Sequence, residues 1–349
     1  MDDRERCVAE QVHILGIESS CDETAAAVVT GGSDVRSSVV ASQAVLHGKY
    51  GGVVPEVASR AHIERIVPVI AEALEQARIR PDELAAVAVA HRPGLVVALM
   101  VGVTAAKTLS MVWEKPLIAV DHVEAHLQSA LLHQAEPAWP AVALIVSGGH
   151  TNLYFARGVL ELKRIGRTID DAAGEAFDKV ATILHLPYPG GPSIEKIARH
   201  GNPRAVDFPR SMLGPDSLDF SFSGLKTAVL YHVRGQDMKG PSRVASMTPE
   251  EIADVAASFQ AAVVDVLVAK TRRSVEQTGA RTVLLGGGVA ANSPLRETME
   301  RMCTQAGRRL WVAPRPLCTD NAVMVASLAY FKYRAGQFAD LSLEPRASA

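Results

Sequence analysis

Apolar runs alternate with polar loops along the chain, and this pattern predicts an α/β protein. An apolar run over 12–17, a polar loop and a second apolar run over 25–29 together predict a β-hairpin near the start. A comparable unit begins at Ala141, where two apolar runs flank a turn of small residues. Two such hairpins, far apart in the sequence, indicate an internal duplication in which each hairpin begins one lobe.

The other apolar patterns predict helices and further strands between and after the hairpins. Thr248-Pro-Glu-Glu251 is a strong helix-start signal, and Gly279 supplies the end of that helix. The predicted helices are 55–76, 93–113, 122 onward, 249–278, 293 onward with a cap from Ser293 and Pro294, and a last one from about 320; the predicted strands are 84–90, 117–120, 282–285 and 310–313. We expect one lobe over 12–138, completed by the helix 320–336, and a second over 139–319, sharing a cleft.

Composition narrows the class of protein. The chain has 349 residues, 48% of them apolar, and a net charge of −2, which provides no general attraction to nucleic acid. Its four cysteines form no regular framework, as in a reducing compartment. The most apolar stretch, 93–106, is shorter than the about 20 residues that span a bilayer, so we expect a buried helix there. The first fourteen residues lack a secretory signal, and we expect a cytoplasmic protein.

Two histidines four residues apart form the most informative motif. His122 and His126 follow an apolar strand and begin a predicted helix. Residues i and i+4 of a helix lie about 40° apart around the axis and roughly 6 Å along it, so both imidazoles can reach one metal ion. The alternative is a pair of ordinary surface or core histidines. Glu124 points off the other face, unlike the glutamate of H-E-x-x-H zinc peptidases.

Two loops of small residues stand at predicted strand ends, where ligands of α/β sheets bind. The loop 16–24 has backbone N–H groups that could cradle a phosphate, and its Asp22 and Glu23 could serve a metal or a proton transfer. An ordinary polar turn is the alternative. Gly148 and Gly149 would let a bound group approach the backbone of the second loop.

Two later loops precede helices. Three glycines from Gly286 lead into Asn292, where helix N–H groups suit an anion or a nucleotide and the amide suits a base or a ribose. Asn292 could instead only organise the helix start. Asp320 could cap the last helix, yet a carboxylate is also the natural third ligand beside two imidazoles, a set that suits Zn²⁺ or Fe²⁺.

Three further segments are rich in small, charged or aromatic residues. Residues 170–179 predict a helix, and Asp178 in it could bind ribose hydroxyls or form a salt bridge. Residues 188–192 have the composition of a turn, in which Gly191 could let a ligand lie against the backbone. Residues 219–226 predict a polar and aromatic loop.

Nine motifs occur in one order from residue 16 to residue 321: GIESSCDET, YGGVVPEVASRAH, DHVEAH, LIVSGGHT, DDAAGEAFDK, YPGGP, DFSFSGLKT, LLGGGVAAN and CTDN. In these motifs, over nearly its whole length, the chain closely resembles the TsaD family of tRNA threonylcarbamoyladenosine transferases, once called glycoproteases. The resemblance implies the duplicated, two-lobed actin, Hsp70 and sugar-kinase (ASKHA) fold, which is RNase H-like, with a central cleft.

The resemblance also implies an activity and its residues. Members transfer a threonylcarbamoyl group from threonylcarbamoyl-AMP to N6 of adenosine 37 in tRNAs that read ANN codons. One divalent metal per subunit is implied, with Fe²⁺ expected and Zn²⁺ as the alternative. The implied ligands are His122, His126 and Asp320; the implied substrate contacts are Ile145, Val146, Ser147, Gly148, Gly149, Asp178, Gly191 and Asn292. Asp22 or Glu23 is the candidate for deprotonating the adenine amine.

The family pattern further implies partners and shows some departures. A TsaB-like paralogue and a TsaE-like ATPase are the expected partners, with a homodimer as the alternative and no membrane involved. Arg92 stands where most bacterial members have glycine, and Glu195 stands where aspartate often contacts substrate. Asp121 is a candidate partner of the metal site. A metallopeptidase and a non-catalytic nucleotide-binding scaffold are the competing hypotheses.

Overall fold

The computed structural model describes residues 11–132, 139–236 and 241–348. Contacts divide the chain into two compact units: unit 1 comprises residues 1–43, 54–128 and 320–349, and unit 2 comprises residues 44–53 and 129–319. The segment 133–138, next to the expected boundary at 138, and most of the N-terminal segment, with Cys7, lie outside the described residues.

Strands and helices alternate as expected for an α/β chain. The strands are β1 (His13–Glu18), β2 (Glu23–Thr30), β3 (Asp34–Ser42), β4 (Leu84–Arg92), β5 (Leu117–Asp121), β6 (Ala141–Val146), β7 (Thr151–Gly158), β8 (Glu161–Arg167), β9 (Thr282–Gly286) and β10 (Arg309–Val312). The helices are α1 (Ala44–Gly48), α2 (Pro55–Ala77), α3 (Val96–Val112), α4 (His122–Leu131), α5 (Ala173–Ile183), α6 (Gly190–Ala198), α7 (Ser223–Arg234), α8 (Pro249–Thr278), α9 (Ser293–Gln305) and α10 (Ala322–Arg334).

Each unit contains one five-stranded mixed sheet of the same topology. In unit 1 the strand order is β3-β2-β1-β4-β5, with β1 antiparallel to β2 and parallel to β4. In unit 2 the order is β10-β9-β6-β7-β8, with β6 antiparallel to β7 and parallel to β9. Both sheets therefore repeat one pattern: an antiparallel three-stranded meander whose first strand is extended by two parallel strands. This confirms the duplication that the two hairpins indicated.

The predicted ends of the long helix of unit 2 are confirmed. Thr248 accepts a hydrogen bond from the backbone N–H of Glu251, whose side chain accepts one from the backbone N–H of Thr248, which is a capping box. Gly279 ends α8 in the left-handed conformation at φ 67°. This helix is long and apolar enough to cross a membrane, but most of its apolar stretch is buried within the protein, as in the core helix of a soluble protein.

The expectation of a buried helix from Pro93 is only half right. Helix α3 buries Leu99 and Val103 on one face, and Val103 belongs to the core cluster that contains residues of β1 and β4. Its other face is exposed, and Met100, Met111 and Val112 are each at least half exposed. A continuous apolar run does not show which side of a helix meets the core, and the sequence therefore overstated the burial.

Glycine at position 16 lets the last helix lie directly on the sheet of unit 1. A Cβ atom at Gly16 in β1 would lie 2.5 Å from the carbonyl oxygen of Ala322 and 2.7 Å from the backbone nitrogen of Ala326. Both contacts involve backbone atoms of α10, which cannot move aside as a flexible side chain could. The close approach holds the start of α10, and the residues that precede it, against β1.

We expect Gly16→Ala to destabilise the protein by about 1–3 kcal/mol, because α10 must shift away from β1 to admit the methyl group. Urea unfolding of the full chain measures this free energy. Gly224→Ala in α7 is the matched control, since its added Cβ meets no protein atom within 4 Å among the described residues. The control should be neutral or slightly stabilising. Equal midpoints for the two variants would contradict the packing argument.

Candidate metal centre and substrate loops

The two histidines lie on the first turns of α4, which follows β5 without a loop. Asp121, the last residue of β5, accepts hydrogen bonds from the backbone N–H groups of Val123 and Glu124 and so caps the helix. Its other carboxylate oxygen lies 3.3 Å from Nε of Arg92. Asp121 thus fixes the helix start and pairs with the cation that departs from the family pattern, rather than contacting an imidazole directly.

The structure brings His122, His126 and Asp320 together in unit 1. Oδ1 of Asp320 lies 3.4 Å from Nε2 of His122 and 3.1 Å from Nε2 of His126. One ligand atom from each of the three residues lies within 4.8 Å of the others, and both histidines are buried. A single ion among these atoms would have two nitrogen ligands and one oxygen ligand, with positions left for water or substrate.

Asp320 does not cap the last helix. The cap of α10 is Asn321, whose side-chain oxygen accepts a hydrogen bond from the backbone N–H of Met324. Its neighbour Asp320 is therefore free of the capping role that the sequence left open, and its carboxylate is directed at the imidazoles. Asn321 thus caps the helix, and Asp320 is left to face His122 and His126.

Glu18 is a member of this cluster that sequence reasoning missed. It ends β1, is fully buried, and its Oε2 lies 2.8 Å from Nδ1 of His122. Its Oε1 accepts a hydrogen bond of 2.6 Å from the backbone N–H of Ser20, whose hydroxyl lies 3.1 Å from the same Nδ1. The signal in the sequence was a carboxylate at the end of an otherwise apolar strand.

The electrostatics of the cluster fit a cation. Burial lowers the pKa of His122, but the nearby carboxylates of Glu18 and Asp320 outweigh burial and hold that pKa well above 6.5. Burial raises the pKa of Asp320, and the two imidazoles outweigh it and hold that pKa well below 3.8. Among the described residues, Nδ1 of His126 is buried without a hydrogen-bond partner. Because two buried carboxylates are stabilised by nearby positive charge, this set of two carboxylates and two imidazoles suits a divalent ion.

Asp22 lies in the turn that joins β1 to β2, and Glu23, the first residue of β2, follows it; both belong to unit 1, and we call this segment the acidic turn. Oε1 of Glu23 accepts a hydrogen bond of 2.9 Å from the hydroxyl of Ser42. Burial, with smaller contributions from the charges of Asp22 and Asp320, raises the pKa of Glu23 to about 7. A carboxyl group with such a pKa can take up or release a proton at neutral pH.

His62 of α2 holds this turn in place. Its Nε2 lies 3.0 Å from the carbonyl oxygen of Cys21, which only accepts, so the ring donates there. Its Nδ1, 2.7 Å from the hydroxyl of Thr24, accepts in return. The ring is fully buried, and burial lowers its pKa, which favours this neutral form. The acidic turn is therefore anchored to a helix on both sides of Asp22 and Glu23.

The predicted substrate residues Ile145 to Gly149 lie in unit 2 at the end of β6. The side chains of Ile145 and Val146 are fully buried in the sheet, so the accessible part of this segment is the turn that contains Gly148 and Gly149. No protein atom of the described residues lies within 4 Å of a Cβ built on either glycine. The turn therefore has room for a group at its backbone.

Two other segments pack on this turn. A Cβ at Gly174, in the first turn of α5, would lie 2.5 Å from the carbonyl oxygen of Ser147. A Cβ at Gly287 would lie 2.4 Å from the carbonyl oxygen of Val146, and Gly287 has φ 89°, a conformation that favours glycine. The Ser-Gly-Gly turn, the triple-glycine loop and the start of α5 thus meet at the end of β6.

Asp178 and Gly191 are brought near each other by the packing of α5 on α6. Oδ1 of Asp178 accepts a hydrogen bond of 2.7 Å from the backbone N–H of Gly190. A Cβ on Gly190 would lie 2.5 Å from Cα of Asp178, whereas a Cβ on Gly191 meets no described protein atom within 4 Å. Asp178 lines a cavity of about 280 Å³ together with Tyr188 and others. Gly190 serves packing, and Gly191 leaves open space.

Asn292 caps α9, the role that the prediction had given to Ser293. Its Oδ1 accepts a hydrogen bond from the backbone N–H of Leu295. Its Nδ2 lies 2.8 Å from Oε1 of Gln260 and 3.3 Å from Oε2 of Glu195. Glu195 also accepts a hydrogen bond of 2.7 Å from the hydroxyl of Ser293. The amide of Asn292 is engaged on both sides, so helix organisation, left open by the sequence, is at least one of its roles.

The candidate residues therefore form two sets. The three candidate metal ligands, His122, His126 and Asp320, and the acidic turn belong to unit 1, and all the predicted substrate residues belong to unit 2. Within unit 2 the structure gathers the glycine loops at the end of β6 and places Asp178 beside α6.

Comparisons with known proteins identify the family. The family model for TsaD, tRNA N6-adenosine threonylcarbamoyltransferase, matches residues 34–327. A tRNA N6-adenosine threonylcarbamoyltransferase of Rhodopirellula baltica is 52% identical over 342 residues, which cover 95% of each chain. One of the same name from Moorella thermoacetica is 52% identical over 341 residues and covers 96% of each.

Solved structures of low identity support the fold. HypF in its phosphate- and nucleotide-bound form matches with a TM-score of 0.61 at 14% identity, over 94% of this chain and 47% of HypF. Component A of the (R)-2-hydroxyglutaryl-CoA dehydratase of Acidaminococcus fermentans matches with a TM-score of 0.52 at 14% identity, over 93% of this chain and 99% of that one. The expected actin, Hsp70 and sugar-kinase type of α/β fold is confirmed. On the family model and the full-length relatives, the chain belongs to the TsaD family of tRNA N6-adenosine threonylcarbamoyltransferases.

Proposed function

We propose that this transferase moves a threonylcarbamoyl group from threonylcarbamoyl-AMP to N6 of adenosine 37 in tRNAs that read ANN codons. A divalent ion held by His122, His126 and Asp320 takes part. The observation that carries the proposal is the meeting of these three side chains, distant in sequence, around one buried point. The relatives' name supports the acceptor and the group transferred.

The reaction is acyl transfer from a mixed anhydride. The adenine N6 attacks the carbamoyl carbon, a C–N bond forms, the C–O bond to phosphate breaks, and AMP leaves with that electron pair. When bound, the divalent ion supplies charge that stabilises the phosphate of the adenylate. The proton lost from N6 goes to Glu23, with Asp22 as the alternative acceptor. The pKa of Glu23, about 7, favours Glu23 over Asp22 as the base.

Unit 2 is the proposed site for the substrate. The open glycine turn at 147–149 offers backbone N–H groups to oxyanion character at the carbamoyl centre. Ile145 and Val146 form the strand that supports this turn. Asp178, Gly191 and Asn292 are the proposed contacts to the remainder of the substrate, supported by the cavity that Asp178 lines and by the space beside Gly191.

The ion, the partners and the location extend the proposal. Fe²⁺ is the proposed ion and Zn²⁺ the alternative, since two imidazoles and a carboxylate suit both. A net charge of −2 provides little attraction to tRNA, which favours help from a TsaB-like paralogue and a TsaE-like ATPase over a lone subunit or a homodimer. We propose that the protein works in the cytoplasm.

Reconstitution tests the function and the metal together. Anaerobically purified protein, with and without the two partners, is given threonylcarbamoyl-AMP and an ANN-reading tRNA, and the modified nucleoside is measured by mass spectrometry. We expect His126→Ala to lose the bound metal and on the order of 10²–10³-fold in rate, because several kcal/mol of charge stabilisation disappears. The exposed His200→Ala is the control.

Two outcomes of this experiment would contradict parts of the proposal. Unchanged metal content and rate in His126→Ala would remove the metal from the mechanism. Full activity of the pure chain would refute its dependence on partners. Elemental analysis of the same preparation decides between iron and zinc.

Glu23 predicts a pH dependence. As the proposed base, it must be ionised, so the rate should fall below about pH 7 in the wild type. Glu23→Gln should abolish this fall in rate at low pH and lower the maximal rate about 10²–10⁴-fold. Glu64→Gln, at an exposed position of α2, is the control, and Asp22→Asn separates the two candidate bases. If Glu23→Gln keeps the wild-type rate and the same fall in rate below about pH 7, Glu23 is not the base.

Glu23 also predicts a pH dependence of the free energy of unfolding. Because the pKa of Glu23 is raised from 4.5 to about 7 on folding, the folded protein holds a proton that the unfolded chain releases between these values. Its contribution to stability therefore decreases as pH rises through this window. Glu23→Gln should remove that decrease in urea unfolding measured at pH 5 and pH 8. Persistence of the full decrease would assign it to other groups.

Gly191 tests the substrate site of unit 2. Gly191→Val places its side chain in open space, so the protein should keep its thermal midpoint while the Michaelis constant for threonylcarbamoyl-AMP rises. Gly190→Ala is the contrasting variant, expected to lower the midpoint because its Cβ would collide with α5. An unchanged Michaelis constant in a stably folded Gly191→Val variant would show that the substrate does not bind at this position.

A further inference from the structure

Glu18 has both carboxylate oxygens engaged by donors in the interior of unit 1. Oε1 accepts from the backbone N–H of Ser20, and Oε2 lies 2.8 Å from Nδ1 of His122. A carboxylate only accepts, so His122 donates its Nδ1–H to Glu18. The other nitrogen, Nε2, faces Asp320 and His126 and is the one that offers its lone pair to a metal ion when the ring is neutral.

We infer that Glu18 is a positioning residue for the metal centre: it holds His122 in the tautomer and ring orientation that let Nε2 bind a divalent cation. This inference rests on the proposed metal site and extends it to a residue outside the ligand set. Ligating histidines generally donate their other N–H to such a partner, and loss of the partner weakens metal binding.

The charges support the same role. A divalent ion beside neutral imidazoles is balanced by the single negative charges of Asp320 and Glu18. Glu18 is fully buried, so solvent does not screen its charge from the site. Removal of that charge leaves a bound dication with one uncompensated positive charge in the interior.

Hydrogen-bond directions make Glu18→Gln a sharp test. The backbone N–H of Ser20 can only donate, so it requires the amide oxygen of the new glutamine. The amide NH₂ then faces Nδ1 of His122. If Nδ1 accepts from it, Nε2 carries the proton and loses the lone pair that a metal needs; if Nδ1 keeps its proton, two donors face each other.

The experiment measures Zn²⁺ affinity of the full-length, metal-stripped protein by competition with a chromophoric chelator. We expect Glu18→Gln to raise the dissociation constant about 10–100-fold relative to wild type. Glu124→Gln, the same change at a half-buried carboxylate of α4, is the control and should bind like wild type. Circular dichroism shows whether each variant is folded. A Glu18→Gln variant within about threefold of the control would overturn the inference.

A second measurement needs no variant at Glu18. In Zn²⁺-loaded wild-type protein labelled with ¹⁵N-histidine, the resonances lost in His122→Asn identify this ring. We expect a protonated Nδ1 and a metal-bound Nε2. Binding through Nδ1, or a proton on Nε2, would overturn the inference. If the wild type binds no Zn²⁺ or Fe²⁺ at all, the proposed metal site fails, which is a separate result from equal binding by wild type and variant.

Discussion

Burial of negative charge beside two imidazoles is the constraint on which unit 1 depends. Glu18 is fully buried, and the side chain of Asp320 is only 18% exposed. Taking such carboxylates out of water costs several kcal/mol each unless partners compensate them. The imidazoles compensate them in part, and the two carboxylates in turn hold the pKa of His122 well above 6.5. A divalent ion at the proposed site would compensate the same two carboxylates, so folding and the proposed metal binding favour one arrangement.

Glycines at strand and helix contacts make this arrangement possible. Gly16 lets α10 rest on β1, and the backbone of Gly94 lies so close to Ser20 that a Cβ would come within 2.6 Å of its carbonyl oxygen. Unit 2 uses the same device at Gly174 and Gly287 around the end of β6. The duplicated fold therefore places close-packed backbone at equivalent strand ends, while the side chains there differ. Unit 1 carries acids and imidazoles there, and unit 2 carries a turn of small residues with open space beside Gly148 and Gly149.

Much of this fold follows from local pattern. The hairpins, the strands of each parallel extension and the capping box of α8 were predicted correctly, because alternation and capping chemistry depend on neighbouring residues. Residues 219–226 were expected to form a loop, yet α7 begins at Ser223. Its start is fixed by a distant carboxylate, since Asp170 accepts from the backbone N–H groups of Phe222 and Ser223. A contact across fifty residues leaves no periodic signal.

The site shows the same limit. The spacing of His122 and His126 predicts that one ion could meet both, but the sequence alone could not place Asp320 beside them. The resemblance to a family supplied that residue, and the structure brings it into contact. Glu18 was missed because a carboxylate at the end of a strand is usually solvated, and only the pairing of β1 with β4, followed by β5, brings it under α4.

The positions of the carboxylates also bear on which chemistry the centre can support. A metallopeptidase needs a carboxylate near the ion with an oxygen available to deprotonate water. Both oxygens of Glu18 are engaged, by Ser20 and by His122. Glu124 lies between the two proposed ligand histidines in the sequence, and burial raises its pKa, while Lys332 and Arg92 interact with it electrostatically. The carboxyl group with a pKa suited to proton transfer is Glu23, in the acidic turn. In the proposed mechanism the proton acceptor, Glu23, is therefore not one of the three proposed metal ligands.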